Sequence, residues 1–341
     1  MASVLALTQG DPAGIGPEIL LKLLSGSSAA GWIPLVIAER AALEALRPVL
    51  PNAPWDRLQY LSGLPTREQL SGLGETIAVL DPVRDERREI AFGHSQAADA
   101  AGALAALDAG IGLARTGVAD AIVTAPVAKS SIAKHVRSDF RGHTDYLAEA
   151  CGLERYGRDY LMAFLAPELQ VALLTVHVPL REAIEAVTPE AVLEALGCLD
   201  RHAGGRIALA GLNPHAGEGG LLGGEEEALL GPTVSQARGQ GLDVHGPESA
   251  DSLFARARQG EFDWVLALYH DQGLIAVKTA SFGLATNWTV GLPFLRTSVD
   301  HGTAFGIAGL GRADAEPLAR VVETTLDLIA KKLPRRQVKA E

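Results

Sequence analysis

Arg296, Thr297 and Ser298 stand side by side in Gly291-Leu-Pro-Phe-Leu-Arg-Thr-Ser-Val-Asp-His-Gly-Thr-Ala304, a run dense in groups that bind anions and metals. An arginine offers a planar fork for a phosphate or carboxylate, and two hydroxyls follow it directly. Further upstream, Gly142-His-Thr-Asp-Tyr146 precedes a helical pattern over 147–151. A His-Thr pair at a helix start can aim an imidazole, a hydroxyl and backbone N–H groups at one phosphate. The plainer alternative is that Thr144 only caps the helix. Lys129 ends Thr124-Ala-Pro-Val-Ala-Lys129 at the close of an apolar run, where it could reach a phosphate or stand solvated.

Three histidines share a placement. His177, His215 and His270 each follow a strand-like apolar run, and in α/β proteins chemistry collects past the carboxyl ends of strands. Three neutral imidazoles with an open position suit Zn²⁺ or a similar divalent ion, although their separations match no spacing signature. Asp251 and Asp271 could orient those histidines or complete the shell. His94, His135, His202, His245 and His301 are assigned to surface or structural roles, with His301 the doubtful case because it lies in the arginine segment. Gly10-Asp-Pro-Ala-Gly-Ile-Gly-Pro-Glu18 lets backbone approach a ligand or simply makes a tight turn. It is neither a Walker loop nor the G-x-G-x-x-G of a dinucleotide fold.

These groups need a scaffold. Short apolar runs over 4–7, 34–38, 76–80, 121–124, 171–176, 207–212 and 265–269 predict strands. Helical patterns over 17–24, 41–50, 95–115, 188–202, 225–238 and 315–331 lie between and after them. Such alternation predicts an α/β fold with a largely parallel sheet. The least regular stretch, 52–88, is expected to be surface excursions. With 341 residues the chain is long enough for two domains.

A formal charge of −11 argues against a nucleic-acid-binding surface, because phosphate neutralisation needs clustered Lys and Arg. The one basic cluster, over 331–336, is expected to be a solvated tail. Cys151 and Cys198 are too few for a disulfide framework or a thiolate site. The first residues lack the basic start and long apolar core of a signal peptide and predict a strand instead. No apolar run approaches the roughly 20 residues of a membrane span, so a cytoplasmic location is expected.

Taken in order along the chain, Gly-Asp-Pro-Ala-Gly-Ile-Gly-Pro-Glu, Gly-His-Thr-Asp, Asn-Pro-His-Ala-Gly-Glu-Gly-Gly, Tyr-His-Asp-Gln-Gly and the Arg296 segment resemble the 4-hydroxythreonine-4-phosphate dehydrogenase family of pyridoxal phosphate (pyridoxine) biosynthesis. The resemblance implies an isocitrate/isopropylmalate-dehydrogenase-like fold, two α/β/α domains with a cleft between them. The domains are expected to be 1–130 plus 285–341, and 131–284, the second carrying the metal histidines and the dimer interface. It further implies a homodimer with an active site shared between subunits and metal ligands on His177, His215 and His270. Substrate contacts fall on His143, Thr144, Lys278, Asn287 and Arg296.

Departures are Thr124-Ala-Pro for the family's Thr-Gly-Pro, Leu221-Leu222 after the Gly-Gly pair, and Lys278-Thr-Ala-Ser-Phe282. None removes a ligand, and the intact His143, Thr144, Lys278 and Arg296 favour a phosphorylated substrate. The implied reaction is oxidation of C3 of 4-phosphooxy-L-threonine by NAD⁺ or NADP⁺, with loss of CO₂ to give 3-amino-2-oxopropyl phosphate. One divalent ion (zinc, magnesium or cobalt) would assist, with Lys278, Asp251 or Asp271 as base. The nicotinamide cofactor is placed at Gly14, Gly16 and Asn287. A paralogous enzyme of 4-phospho-D-threonate or 4-phospho-D-erythronate is the alternative. A metal-dependent phosphatase, or a phosphometabolite-binding protein without turnover, would use the same groups.

Overall fold

Strand β1 (Ser3–Thr8) is apolar on both faces, as a strand covered by helices on both sides must be. The computed structural model describes residues 2–26, 31–85, 87–281 and 283–331; most of the 331–336 basic cluster, and Phe282, lie outside them. By their contacts these divide into one unit over 2–151 and 293–331 and another over 152–292.

The first unit runs β1, α1 (Gly16–Gly26), β2 (Trp32–Ile37), α2 (Arg40–Glu44), β3 (Leu58–Tyr60), α3 (Arg67–Ser71), β4 (Ile77–Leu80), α4 (Ala97–Arg115), β5 (Ala121–Thr124), α5 (Lys129–His135) and α6 (His143–Ala150). The second runs β6 (Leu161–Ala166), β7 (Leu169–Leu173), α7 (Leu180–Glu185), α8 (Pro189–His202), β8 (Ile207–Ala210), α9 (Gly231–Gly239), β9 (Val244–Glu248), α10 (Ala250–Arg258), β10 (Trp264–Ala267), α11 (His270–Ser281) and β11 (Thr286–Val290). The chain then returns to the first unit with β12 (Leu295–Val299) and α12 (Glu316–Ile329).

In the first unit the strand order is β3-β4-β2-β1-β5-β12, and every neighbouring pair is parallel. Alternation along β1 sends Leu5 and Leu7 into a core with Ile19 and Leu20 of α1 and Val321 and Val322 of α12. Val4 and Ala6 enter the opposite core with Leu35, Ile37, Ala106 and Leu113. Fully burying each such leucine stabilises the fold by about 1.5–3 kcal/mol. In the second unit the order is β11-β6-β7-β10-β8-β9. There β11–β6 and β6–β7 are antiparallel, and β7–β10, β10–β8 and β8–β9 parallel.

Several expectations change. The contact division falls after Cys151 and Leu292, not after 130 and 284. Residues 131–151 stay with the first unit because Ile132 and Phe140, with Tyr146 against them, pack on Ala100, Ala103 and Leu104 of α4. The pattern over 41–50 is helical only to Glu44, since Pro48 has no N–H to bond the Glu44 carbonyl and its ring crowds that carbonyl. The 52–88 stretch holds β3 and α3, the latter with a Thr66–Gln69 capping box. Helix α4 has 19 residues and is apolar enough to cross a membrane, contrary to the expectation that no such run exists; much of it is buried against the sheet, as in a core helix.

Candidate active site

In the first unit, β5 and β12 lie side by side with Arg296 opposite Ile122 and Ser298 opposite Thr124. Arg296 is buried at 2% exposure, and its Nη2 donates to Thr124 Oγ1 at 2.7 Å. Burial lowers the guanidinium to about 9, which leaves it a cation at neutral pH. Thr297 faces the other way and shares a 2.7 Å hydrogen bond with Thr325 in the core. Period-two alternation therefore removes one of the two hydroxyls expected beside the arginine.

Past Thr124 the chain turns into α5, whose first residue is Lys129. Its side chain lies over Gly142: a methyl there would come within 3.2 Å of Cε and 3.4 Å of Nζ. Gly142 is the N-cap of α6, with φ +154, so Thr144 is not the cap and sits buried in the helix's first turn beside His143. Helix α6 starts at His143, four residues before its apolar pattern. Burial, then Arg296, then Lys129 hold the His143 imidazole well below its usual range, so it is neutral at pH 7. Arg296, His143 and Thr144, with the positive end of α6, form an anion cradle, and Lys129 lies against the N-cap of that helix.

In the second unit, β7 and β10 are parallel neighbours and their carboxyl ends are stitched together. Leu174 N donates to Ala267 O at 2.8 Å, and Thr175 Oγ1 to Leu268 O at 2.9 Å. His177 and His270 emerge there with ring centroids 5.6 Å apart. His270 Nδ1 lies 2.7 Å from Asp271 Oδ1, a contact that orients the ring and leaves Nε2 as the nitrogen for a ligand. His215 is presented separately, on a left-handed turn in which His215, Ala216 and Glu218 have φ of 54, 51 and 44°. Glu226 holds that turn: Oε1 accepts from Leu212 N and Asn213 N, both at 2.7 Å, and Oε2 from Asn213 Nδ2 at 2.9 Å. Burial alone would raise the Glu226 carboxyl, but the side-chain and backbone hydrogen bonds from Asn213 and its neighbours outweigh it and lower it.

Thus His177 and His270 come together within one chain, while His215 is carried on a turn of its own. Among the described residues no three His, Cys, Asp or Glu converge on a metal position. The donor set nonetheless fits a divalent ion that prefers nitrogen, two imidazoles being paired at strand ends with one already oriented by a carboxylate.

Asp251 and Asp271 line one groove of about 630 Å³ between α10 and α11, with Phe254, Tyr269 and Ile275. Asp251 accepts from Ser249 Oγ at 2.6 Å, and that bond holds its carboxyl below the ordinary range. Lys278 is exposed on α11. Asn287 lies on β11 with its buried Oδ1 lacking a partner among the described residues, as a substrate contact would require. Gly14 and Gly16 are packed against protein. A Cβ on Gly16 would meet Gln9 O at 1.8 Å, and one on Gly14 would meet Thr303 at 3.2 Å. Close packing requires glycine at both positions, whatever their backbone N–H groups bind.

The 10–18 motif is instead a structural hub. Glu18 is buried and accepts from Gly311 N and Ala313 N, and Lys22 pairs with it at 2.9 Å. Arg88 bridges the buried Glu39 and Asp99. Neither that bridge nor the Glu226 clamp was anticipated, since an isolated carboxylate in sequence carries no sign of burial.

A model of the family described as pyridoxal phosphate biosynthetic protein PdxA matches residues 32–325. The chain is 40% identical to the 4-hydroxythreonine-4-phosphate dehydrogenase of Acidithiobacillus ferrooxidans, across 95% of this chain and 96% of that one. It is 36% identical to the D-threonate 4-phosphate dehydrogenase of Salmonella typhimurium, across 95% and 98%. Among solved structures, the 4-hydroxythreonine-4-phosphate dehydrogenase of Klebsiella pneumoniae matches with a TM-score of 0.85 at 35% identity, covering 96% of this chain and all of that one.

Proposed function

The chain belongs to the pyridoxal phosphate biosynthetic protein PdxA family, and from that membership we propose that it is a 4-hydroxythreonine-4-phosphate dehydrogenase. It oxidises C3 of 4-phosphooxy-L-threonine with NAD⁺ or NADP⁺, and the β-keto acid loses CO₂ to give 3-amino-2-oxopropyl phosphate. The observation that carries this reading is the cradle of Arg296, His143 and Thr144, a built site for a phosphate on the substrate.

The chain's own groups divide the work. Arg296, His143 and Thr144 hold the phosphate, so that binding energy remote from C3 becomes orientation of C3. Asn287 Oδ1 accepts a hydrogen bond from the substrate away from the phosphate, and Lys278 is a further contact to that part of the substrate. His177, His215 and His270 are the proposed metal ligands, with His215 reaching a metal across the subunits of a homodimer. A bound Zn²⁺, Co²⁺ or Mg²⁺ would supply Lewis acidity toward the C3 oxygen and, later, toward the electrons that decarboxylation releases. Asp271 is committed to orienting His270, which leaves Lys278 or Asp251 to take the hydroxyl proton. The nicotinamide serves as hydride acceptor.

Similarity to an enzyme named for D-threonate 4-phosphate favours one second reading, the same chemistry on a sugar-acid phosphate. The test is reduced-nicotinamide absorbance with 4-phosphooxy-L-threonine, 4-phospho-D-threonate and 4-phospho-D-erythronate, with each cofactor, before and after chelation. A chelator-sensitive signal with the amino acid phosphate is expected. A signal confined to the sugar acids moves the enzyme to the second reading. Release of inorganic phosphate without nicotinamide reduction would overturn both in favour of a phosphatase.

A further inference from the structure

The cradle's charge does not add up to a phosphate monoester with the groups assigned so far. Such a monoester carries close to two negative charges at neutral pH, its second pKa being about 6. Arg296 supplies one positive charge. His143 supplies none, because burial and its two cationic neighbours keep it neutral. Thr144 is uncharged. One cation is missing, in a chain whose formal charge is −11.

We propose that Lys129 is that cation: a substrate-binding residue that, with Arg296, gives the cradle two positive charges and selects a phosphate dianion over singly charged anions. Three observations place it. Its Cε and Nζ lie against Gly142, the N-cap of the helix that carries His143 and Thr144. It is near enough to act electrostatically on His143, as Arg296 is. It makes no ion pair with any described carboxylate, whereas Arg67, Arg88, Arg137, Arg155 and Arg256 of the same chain are each paired. The absence of a side chain at Gly142 then has a purpose in the site, since any Cβ there would occupy the path of the lysine.

The inference rests on reading the cradle as the phosphate site, and its test is independent of turnover. Ethyl phosphate, a dianion at pH 8, and ethyl sulfate, a monoanion of the same shape, are titrated into the full chain by calorimetry. Wild-type protein should prefer the phosphate. Lys129→Gln should shrink that preference about 10- to 100-fold, the range for losing one charged hydrogen bond, while Lys129→Arg retains most of it. Gly142→Ala should lower the preference with the lysine still present, by displacing its ammonium. Melting of Lys129→Gln should match wild type, because the exposed side chain holds no internal ion pair. An unchanged preference in Lys129→Gln overturns the proposal and leaves Lys129 a solvated lysine. Should nicotinamide reduction fail with every substrate while the phosphate preference depends on Lys129, the proposed reaction falls and the two-cation cradle stands.

Discussion

At His143, loss of water and two nearby cations act in one direction, against protonation. An unfolded histidine titrates near 6.5, and the folded pKa lies well below that. Between the two values the unfolded chain binds the extra proton, so stability rises with pH across that window and is lost as pH falls from about 6.5 downward. Urea unfolding at pH 5 and pH 7.5 should therefore show a larger acid loss for wild type than for His143→Gln. The double difference cancels groups common to both proteins, including His202, whose imidazole is also lowered by burial. Parallel losses would mean that His143 is not held neutral in the fold. At this scale the sequence was informative about residue type and poor about direction. Arg296, His143 and Thr144 were singled out from chemistry and adjacency, but Thr297 was misjudged because one residue along a strand turns a side chain to the other face.

The turn over 215–220 shows what an element can hold that a motif cannot reveal. Every residue in it has positive φ, three of them not glycine, and left-handed backbone costs about 1–2 kcal/mol for each such residue. Something must over-determine it, and Glu226 is placed to do so, accepting three hydrogen bonds from Leu212 and Asn213 at the turn's entrance. Glu226→Ala would leave two backbone N–H groups without their acceptor, at about 1–3 kcal/mol each. Glu226→Gln keeps an acceptor for those groups but turns an amide toward Asn213 Nδ2, donor against donor. We expect both variants to weaken zinc binding measured by calorimetry about 10- to 100-fold, as loss of a residue that orients a ligand does, with alanine the worse. Full zinc affinity in the alanine variant would show that the turn holds its shape without the clamp. The histidine's position after a strand was legible because β8 is a plain buried apolar run. The clamp was not, because its carboxylate lies in a later helix and no local period links the two.

Across the whole molecule, alternating apolar runs and helical patterns were enough to read an α/β architecture. The strands they missed fall into two kinds: β6 is a buried run with no helix before its partner β7, while β3, β9, β11 and β12 carry polar or glycine-proline residues that break the pattern. What no pattern within one chain supplies is the face that the proposed homodimer would use. The second unit leaves Val178, Leu180, Ile184, Leu221, Leu222 and Ile275 between 43 and 78% exposed. Leu180 and Ile184 stand one turn apart on α7 and so share a side of that short helix. The first unit exposes Val49, Leu64, Val83, Val136 and Leu310 singly along the chain, whereas Val178, Leu180 and Ile184 fall within one stretch of seven residues. Grouped apolar side chains mark an association surface more often than scattered ones do. The second unit is also the one that carries His177, His215 and His270, the proposed metal ligands. Leu180→Glu with Ile184→Glu should therefore turn a dimer into a monomer in sedimentation velocity. Both side chains are exposed, so the melting of the monomer should fall only by the loss of dimer linkage. The same variant should lose zinc affinity, although neither substitution touches a histidine. A dimer that survives with full zinc affinity would place the subunit contact elsewhere, whereas a monomer that keeps full affinity would mean that one chain assembles the metal site alone.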